Sequence, residues 1–350
     1  MGGTGAAIFR TGVLLLLCLT FVPPALAREV EDDAGRLVPV PAEIGRAYGA
    51  GAPAAILLYT LAPDMMLGWP RPNSSAEAAF MPPRYAALPE LGRLTGRGDT
   101  ANLEEILAVR PDLLFDYGTI NPTYISLADQ IQAQTRLPYL LFDGSFDRIP
   151  EAYRKLGQVL GVEERAERLA AYAEATLEEA RETVAAIPPA KRPRVYYARG
   201  PEGLETGLAG SINTEMLDIL GAENVAKAAG IGGLSNVSIE QVWQWDPDVI
   251  LTLEPHFHAN VWEDPRWRNL RAVREGRVYL APSLPFGWFD RPPSVNRLIG
   301  LRWLLAVLYP DNVQIPLREE TRHFYRLFYH QEPSEEQLDQ LLSAARPTRP

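Results

Sequence analysis

Four short stretches of this chain bring flat rings, and in three of them guanidinium groups, to where strands are expected to end. They are Trp69-Pro70-Arg71, Tyr117 with Tyr124, Tyr197-Ala198-Arg199, and Phe286-Gly287-Trp288-Phe289-Asp290-Arg291. Rings bury the apolar body of a ligand, and guanidinium groups make bidentate contacts to carboxylate or oxyanion edges. Singly, such residues are ordinary packing. Jointly they favour an anionic, partly aromatic small molecule, and Trp69, Arg71, Tyr117, Tyr124, Arg199, Phe286, Trp288 and Arg291 are the candidate contacts.

His256-Phe257-His258 follows the apolar run Val249–Leu253 and, if extended, carries both imidazoles on one side. Two histidines do not enclose a bare Zn²⁺, which wants about four ligands. They could complete an open position on a chelated metal; as an alternative, they are surface loop residues. Gly49-Ala50-Gly51-Ala52-Pro53-Ala54 has the spacing of a dinucleotide fingerprint. No acid follows at ribose distance, and a tight strand-to-helix turn explains it equally well. No G-x-S-x-G elbow, H-E-x-x-H or P-loop occurs. These absences point to a binding protein, with no enzymatic activity and no cofactor expected.

Arg10, the apolar run 11–22 and Ala25-Leu26-Ala27 read as a secretory leader cleaved after Ala27. The run is too short to span a membrane, which takes about 20 apolar residues. The single cysteine, Cys18, lies within it, so the mature chain folds without disulfides or thiol chemistry. A net charge of −10 argues against a nucleic-acid partner. The expectation is an exported protein of the periplasm with no membrane insertion, acting as a monomer. Its 350 residues, 47% of them hydrophobic, suffice for about two domains.

The elements that must carry these residues are duplicated. Asn102-Leu103-Glu104-Glu105-Ile106-Leu107-Ala108-Val109-Arg110-Pro111-Asp112 matches Ser238-Ile239-Glu240-Gln241-Val242-Trp243-Gln244-Trp245-Asp246-Pro247-Asp248, each followed by an apolar run. Each copy opens on a capping box, Asn102 with Glu105 and Ser238 with Gln241. Each helix stops ahead of proline and leads into a strand buried on both faces. Asp112 and Asp248 then belong to equivalent turns, not to a catalytic carboxylate pair. Arg46-Ala47-Tyr48 and Arg194-Val195-Tyr196 form a second echo. Residues 28–45, with Asp32-Asp33-Ala34-Gly35-Arg36, read as a hairpin. Val162, Ala166, Leu169, Ala173, Leu177, Ala180, Val184 and Ile187 form one apolar stripe at helical period, ended by Pro188-Pro189. Three further helices are expected after Pro293. The organisation is therefore α/β: two Rossmann-like lobes, 28–160 and 191–350, joined by one long helix within 161–190, with a ligand cleft between them.

From Asp33 to Pro310 the chain resembles the periplasmic substrate-binding proteins of iron-siderophore and cobalamin ABC importers. Arg110-Pro111-Asp112, Gly221-Ala222-Glu223-Asn224-Val225, Val237-Ser238-Ile239-Glu240 and Gly276-Arg277-Val278-Tyr279 carry the resemblance. Pro285-Phe286-Gly287-Trp288-Phe289-Asp290-Arg291-Pro292-Pro293 is similar to the subgroup associated with iron complexes. The resemblance implies a receptor that captures a metal chelate, a ferric siderophore first, and delivers it to a permease dimer with its ATPase. Corrinoids, molybdate or tungstate, and nickel chelates are the alternatives within it, and an exported α/β enzyme the alternative outside it. It also implies that Glu104 and Glu240, one on each lobe, dock on the permease.

Overall fold

The computed structural model describes residues 28–96 and 103–344. The leader with its Ala27 site, and Asn102 of the first capping box, lie outside the described residues. A hairpin of β1 (Arg28–Glu31) and β2 (Leu37–Val40) comes first. Asp32 turns it by accepting the N–H groups of Ala34 and Arg36, both at 3.0 Å.

β3 (Ala47–Gly49), β4 (Leu113–Gly118) and β5 (Tyr139–Asp143) form a parallel sheet in that order. Its helices are α1 (Ala52–Leu61) after β3, α2 (Leu103–Ala108) before β4, and α3 (Pro122–Thr135) between β4 and β5. α4 (Ile149–Leu160) and α5 (Glu163–Ala185) follow. The second parallel sheet uses β6 (Arg194–Ala198), β8 (Glu223–Asn224), β10 (Val249–Thr252) and β11 (Val278–Leu280), ordered β11-β10-β6-β8. β7 (Glu205–Gly207) and β9 (Leu234–Asn236) pair antiparallel beside it. Its helices include α6 (Glu215–Ile219), α7 (Ile239–Trp245) and α8 (Pro255–Asn260). α9 (Arg297–Leu308), α10 (Leu317–Phe328) and α11 (Glu335–Ala344) close the chain.

The duplication is structural down to single hydrogen bonds. α2 runs through Arg110 at φ +49° into β4, and α7 through Asp246 at φ +38° into β10. Asp112 accepts the N–H groups of Gly45 and Arg46 at 2.9 Å, and Asp248 that of Arg194 at 2.8 Å. Arg46 donates to the Arg110 carbonyl at 3.0 Å and Arg194 to that of Asp246 at 3.1 Å. Both aspartates thus tie a turn to the neighbouring strand, and Asp248 also pairs with Arg271 at 2.7 Å.

α5 buries Ala166, Leu169, Ala173, Leu177, Ala180 and Val184, the stripe read from the sequence. At 1.5 Å per residue it spans about 35 Å. Its small residues permit close contact with α4: a Cβ on Gly157 would sit 2.3 Å from the Cβ of Ala166. One face of each sheet feeds a single hydrophobic core. Leu113 and Phe115 of β4 and Val249 and Leu251 of β10 join it through α1, α4, α5 and α9. The outer sheet faces have smaller cores of their own. No described helix is long and apolar enough to cross a membrane.

Candidate ligand cleft

Ligands of parallel sheets bind beyond the carboxyl ends of the strands, and here β3, β4 and β6 all end at one cleft of about 410 Å³. The β3–α1 turn is set by two glycines. A Cβ on Gly49 would lie 2.5 Å from the Ala55 nitrogen, so only glycine lets the strand meet the helix. A Cβ on Gly51 would lie 2.6 Å from the Thr95 hydroxyl. Gly51 caps α1 with no side-chain cap and Pro53 in the first turn, leaving the positive helix end at the cleft.

Asp116 of β4 lies beneath this turn, buried, its carboxylate accepting the Tyr117 N–H at 2.9 Å and facing the Thr95 hydroxyl. Burial pushes its pKa up, against the pull of those two bonds. Arg93 and the half-buried Tyr124 complete this side of the cleft.

The opposite wall is organised by Asp290, 1% exposed. It accepts the Tyr197 hydroxyl at 3.0 Å, the Asn213 amide at 2.9 Å and the Arg291 N–H at 2.7 Å, and it pairs with the Arg199 guanidinium. Arg199 also reaches Glu205 at 3.0 Å and lies over the Tyr197 ring. Arg291, at φ +63°, extends to Glu254 from an exposed position at the mouth.

Of the eight residues expected at the ligand, Tyr117, Tyr124, Arg199 and Arg291 line this cleft. Tyr117 lines it from a core position: its ring is 1% exposed and its hydroxyl lacks a hydrogen-bond partner. Trp69, Arg71 and Phe286 line a separate, mainly apolar pocket of about 350 Å³, which shares Ala52, Arg291 and Pro292 with the cleft. Trp69 donates its indole N–H to Tyr85 at 2.8 Å, and Arg71 is held bidentately by Glu77. Trp288 takes no part in either space. It is fully buried, with its indole on the Tyr325 hydroxyl at 3.2 Å, because its backbone packs directly on Gly300 of α9.

The histidine segment is helical, not extended, since Pro255 starts α8. Two positions along a helix point to opposite sides. His256 is exposed, while His258 sits edge-on to Trp262 with its pKa lowered by burial. Neither lines the cleft. Among the described residues no group of three or more metal-ligating side chains converges.

Sequence reasoning missed Arg93, Thr95, Asp116 and Asn213 as cleft residues, and it named Asp290 only as part of the run 286–291. For Asp116 a signal existed: one carboxylate inside the buried run Leu113-Leu114-Phe115-Asp116-Tyr117. The others sit in loops without periodic pattern.

Comparison with known proteins identifies the family. A family model described as periplasmic binding protein matches residues 78–284. Molybdate-binding protein MolA of Haemophilus influenzae is 27% identical over 263 residues, 69% of this chain and 74% of MolA. The structure of an ABC transporter solute binding protein from Sulfurospirillum deleyianum superposes with a TM-score of 0.83 at 33% identity, covering 90% of this chain and 99% of that one. MolA bound to molybdate superposes at 0.73 with 23% identity, covering 88% and 99%.

Proposed function

Since the chain belongs to the periplasmic binding protein family of ABC importers, we propose that its cleft captures a compact oxyanion of the molybdate class for delivery to the importer. One observation carries this reading. Arg93, Arg199, Arg291 and the N-terminus of α1 converge on a space of about 410 Å³ whose carboxylates are already engaged by their own donors. Helix N-termini and guanidinium groups are the usual holders of such anions. The cleft is near the small end for ligand pockets, which suits a compact anion. A 27% identical relative named for molybdate binding supports the same ligand.

In this reading Asp290 aligns Arg199 and Asn213, and Arg291 exchanges Glu254 for the ligand as the cleft fills. The receptor works as a monomer in the periplasm after cleavage at Ala27, with lobes 28–160 and 191–350 about the helix. Glu104 and Glu240 are its contacts to the permease.

A ferric siderophore is the second reading. The apolar pocket beside the cleft, edged by Trp69 and Phe286, favours it, because a chelator with an aromatic arm would use both spaces. Isothermal titration with molybdate, tungstate, sulfate, a ferric catecholate, cobalamin and nickel–histidine tests the choice. Saturable binding of molybdate and tungstate is expected. Binding of the ferric chelate alone would replace the oxyanion by the chelate, and binding of neither would reject both.

A further inference from the structure

Among the described residues four large apolar side chains are exposed: Leu37, Leu107, Ile231 and Trp243. Two of the four occupy the same position of the internal repeat. Leu107, 38% exposed, lies on α2 three residues after Glu104, and Trp243, 48% exposed, lies on α7 three residues after Glu240. Residues three apart on a helix are surface neighbours. Each lobe therefore presents a carboxylate and an apolar side chain side by side on a short helix.

The match extends through the whole segment. Ile106 and Val242, one position earlier, are both buried, as are Pro111 and Pro247 after the helices. Both glutamates are exposed. Trp243 is also held in place, its indole N–H donating to the Arg266 carbonyl at 2.7 Å while almost half of the residue faces solvent. Tryptophan is among the side chains most often found at the energetic centre of protein interfaces, and here almost half of its surface is left open.

We propose that Leu107 and Trp243, each beside its glutamate, form two apolar docking knobs for the membrane permease of the importer. The proposal rests on the reading of this chain as the importer's receptor. Two like patches generated by duplication fit a partner that offers two like sockets, and the acidic neighbours call for basic residues at each socket. Charges set encounter and register, while desolvated aromatic and aliphatic area holds the complex. The two knobs are unequal, so the second lobe is expected to hold the permease more tightly than the first.

The test uses the full-length receptor and its permease–ATPase in proteoliposomes, reading receptor affinity and stimulated ATP hydrolysis at low and high salt. Trp243→Ala should weaken docking roughly tenfold or more and Leu107→Ala less, with the molybdate titration unchanged. Trp243→Gln gives a second, more soluble replacement. The loss caused by Trp243→Ala should persist at high salt, whereas that caused by Glu104→Gln with Glu240→Gln should shrink as screening removes the charge term. Full docking by both Trp243 variants and by Leu107→Ala would overturn the apolar knobs while leaving the receptor reading intact. Failure of the unmodified receptor to stimulate the transporter would overturn both.

Discussion

Glu215 and Arg297 join the two halves of the molecule beside the cleft, behind its lining residue Ile212. The fully buried Arg297 guanidinium reaches Glu215 at 3.3 Å, the Ile212 carbonyl at 2.8 Å and the Gly144 carbonyl at 3.1 Å. Glu215 in turn accepts the Phe146 N–H at 2.8 Å. The pair thereby fixes 144–146 of the first lobe against 212–215 of the second, next to the cleft residue Asn213. Burial pushes the Glu215 pKa up and the Arg297 pKa down, and their mutual attraction opposes both shifts.

Removing Arg297 leaves the half-buried Glu215 carboxylate without its cation and the Ile212 and Gly144 carbonyls without their donor. Arg297→Met should cost about 3–5 kcal/mol in urea denaturation. Glu215→Leu combined with Arg297→Met should cost less than Arg297→Met alone. Additive losses would show that the two side chains act independently.

Arg199→Ala should weaken ligand binding by roughly tenfold to a hundredfold, the worth of a charged hydrogen bond. It also strips Asp290 of its cation. Asp290→Asn, which keeps the shape of the wall, should lower affinity too, by loosening Arg199 and Asn213. Titration calorimetry reads both, and unaltered affinity in either variant would remove that residue from the site.

Gly51→Ala tests the turn at α1. The added Cβ would stand 2.6 Å from the Thr95 hydroxyl, so Thr95 must move and the contact with Asp116 with it. The backbone at Gly51 is extended and accepts alanine without strain. Affinity should therefore fall, and the melting temperature should drop modestly with the loss of the Thr95–Asp116 contact. A variant that binds like the parent would place the ligand away from this turn.

His330 carries a pH dependence. Desolvation and the nearby Arg165 lower its pKa to about 4, against an unfolded value of about 6.5. The folded state holds it neutral, so its contribution is complete above pH 6.5 and is lost as pH falls from there to about 4. The loss amounts to roughly 3 kcal/mol. Urea midpoints at pH 7 and pH 4.5 should show this difference in the parent and a smaller one in His330→Gln. Equal differences in the two proteins would assign the effect to other groups.

Lobe movement should be small. One hydrophobic core runs through α1, α4, α5 and α9 beneath both sheets, and a wide swing would expose it. Small-angle scattering with and without ligand should give nearly the same radius of gyration. A large drop on binding would contradict a shared core.

The sequence by itself determined the elements, because their signals act over a few residues. Capping boxes, Pro-Asp stops and a stripe at helical period are local, and the repeat, α5 and the closing helices all appear where these signals place them. The assignment of side chains to the cleft was not local, and only the tertiary structure decided it. Within the single run from Phe286 to Arg291, Phe286 packs on Tyr59 and Trp69, Trp288 turns onto α9, Asp290 gathers the donors of the cleft wall, and Arg291 faces the opening. Composition marks that run as rich in binding chemistry, but each residue's direction depends on contacts with segments far away in the chain. The same holds for Asp116 and Thr95, drawn together under a glycine turn by packing of β4 beside β3. At His256 and His258 one proline outweighed the extended expectation, since a helix begun at Pro255 sends alternate side chains to opposite sides.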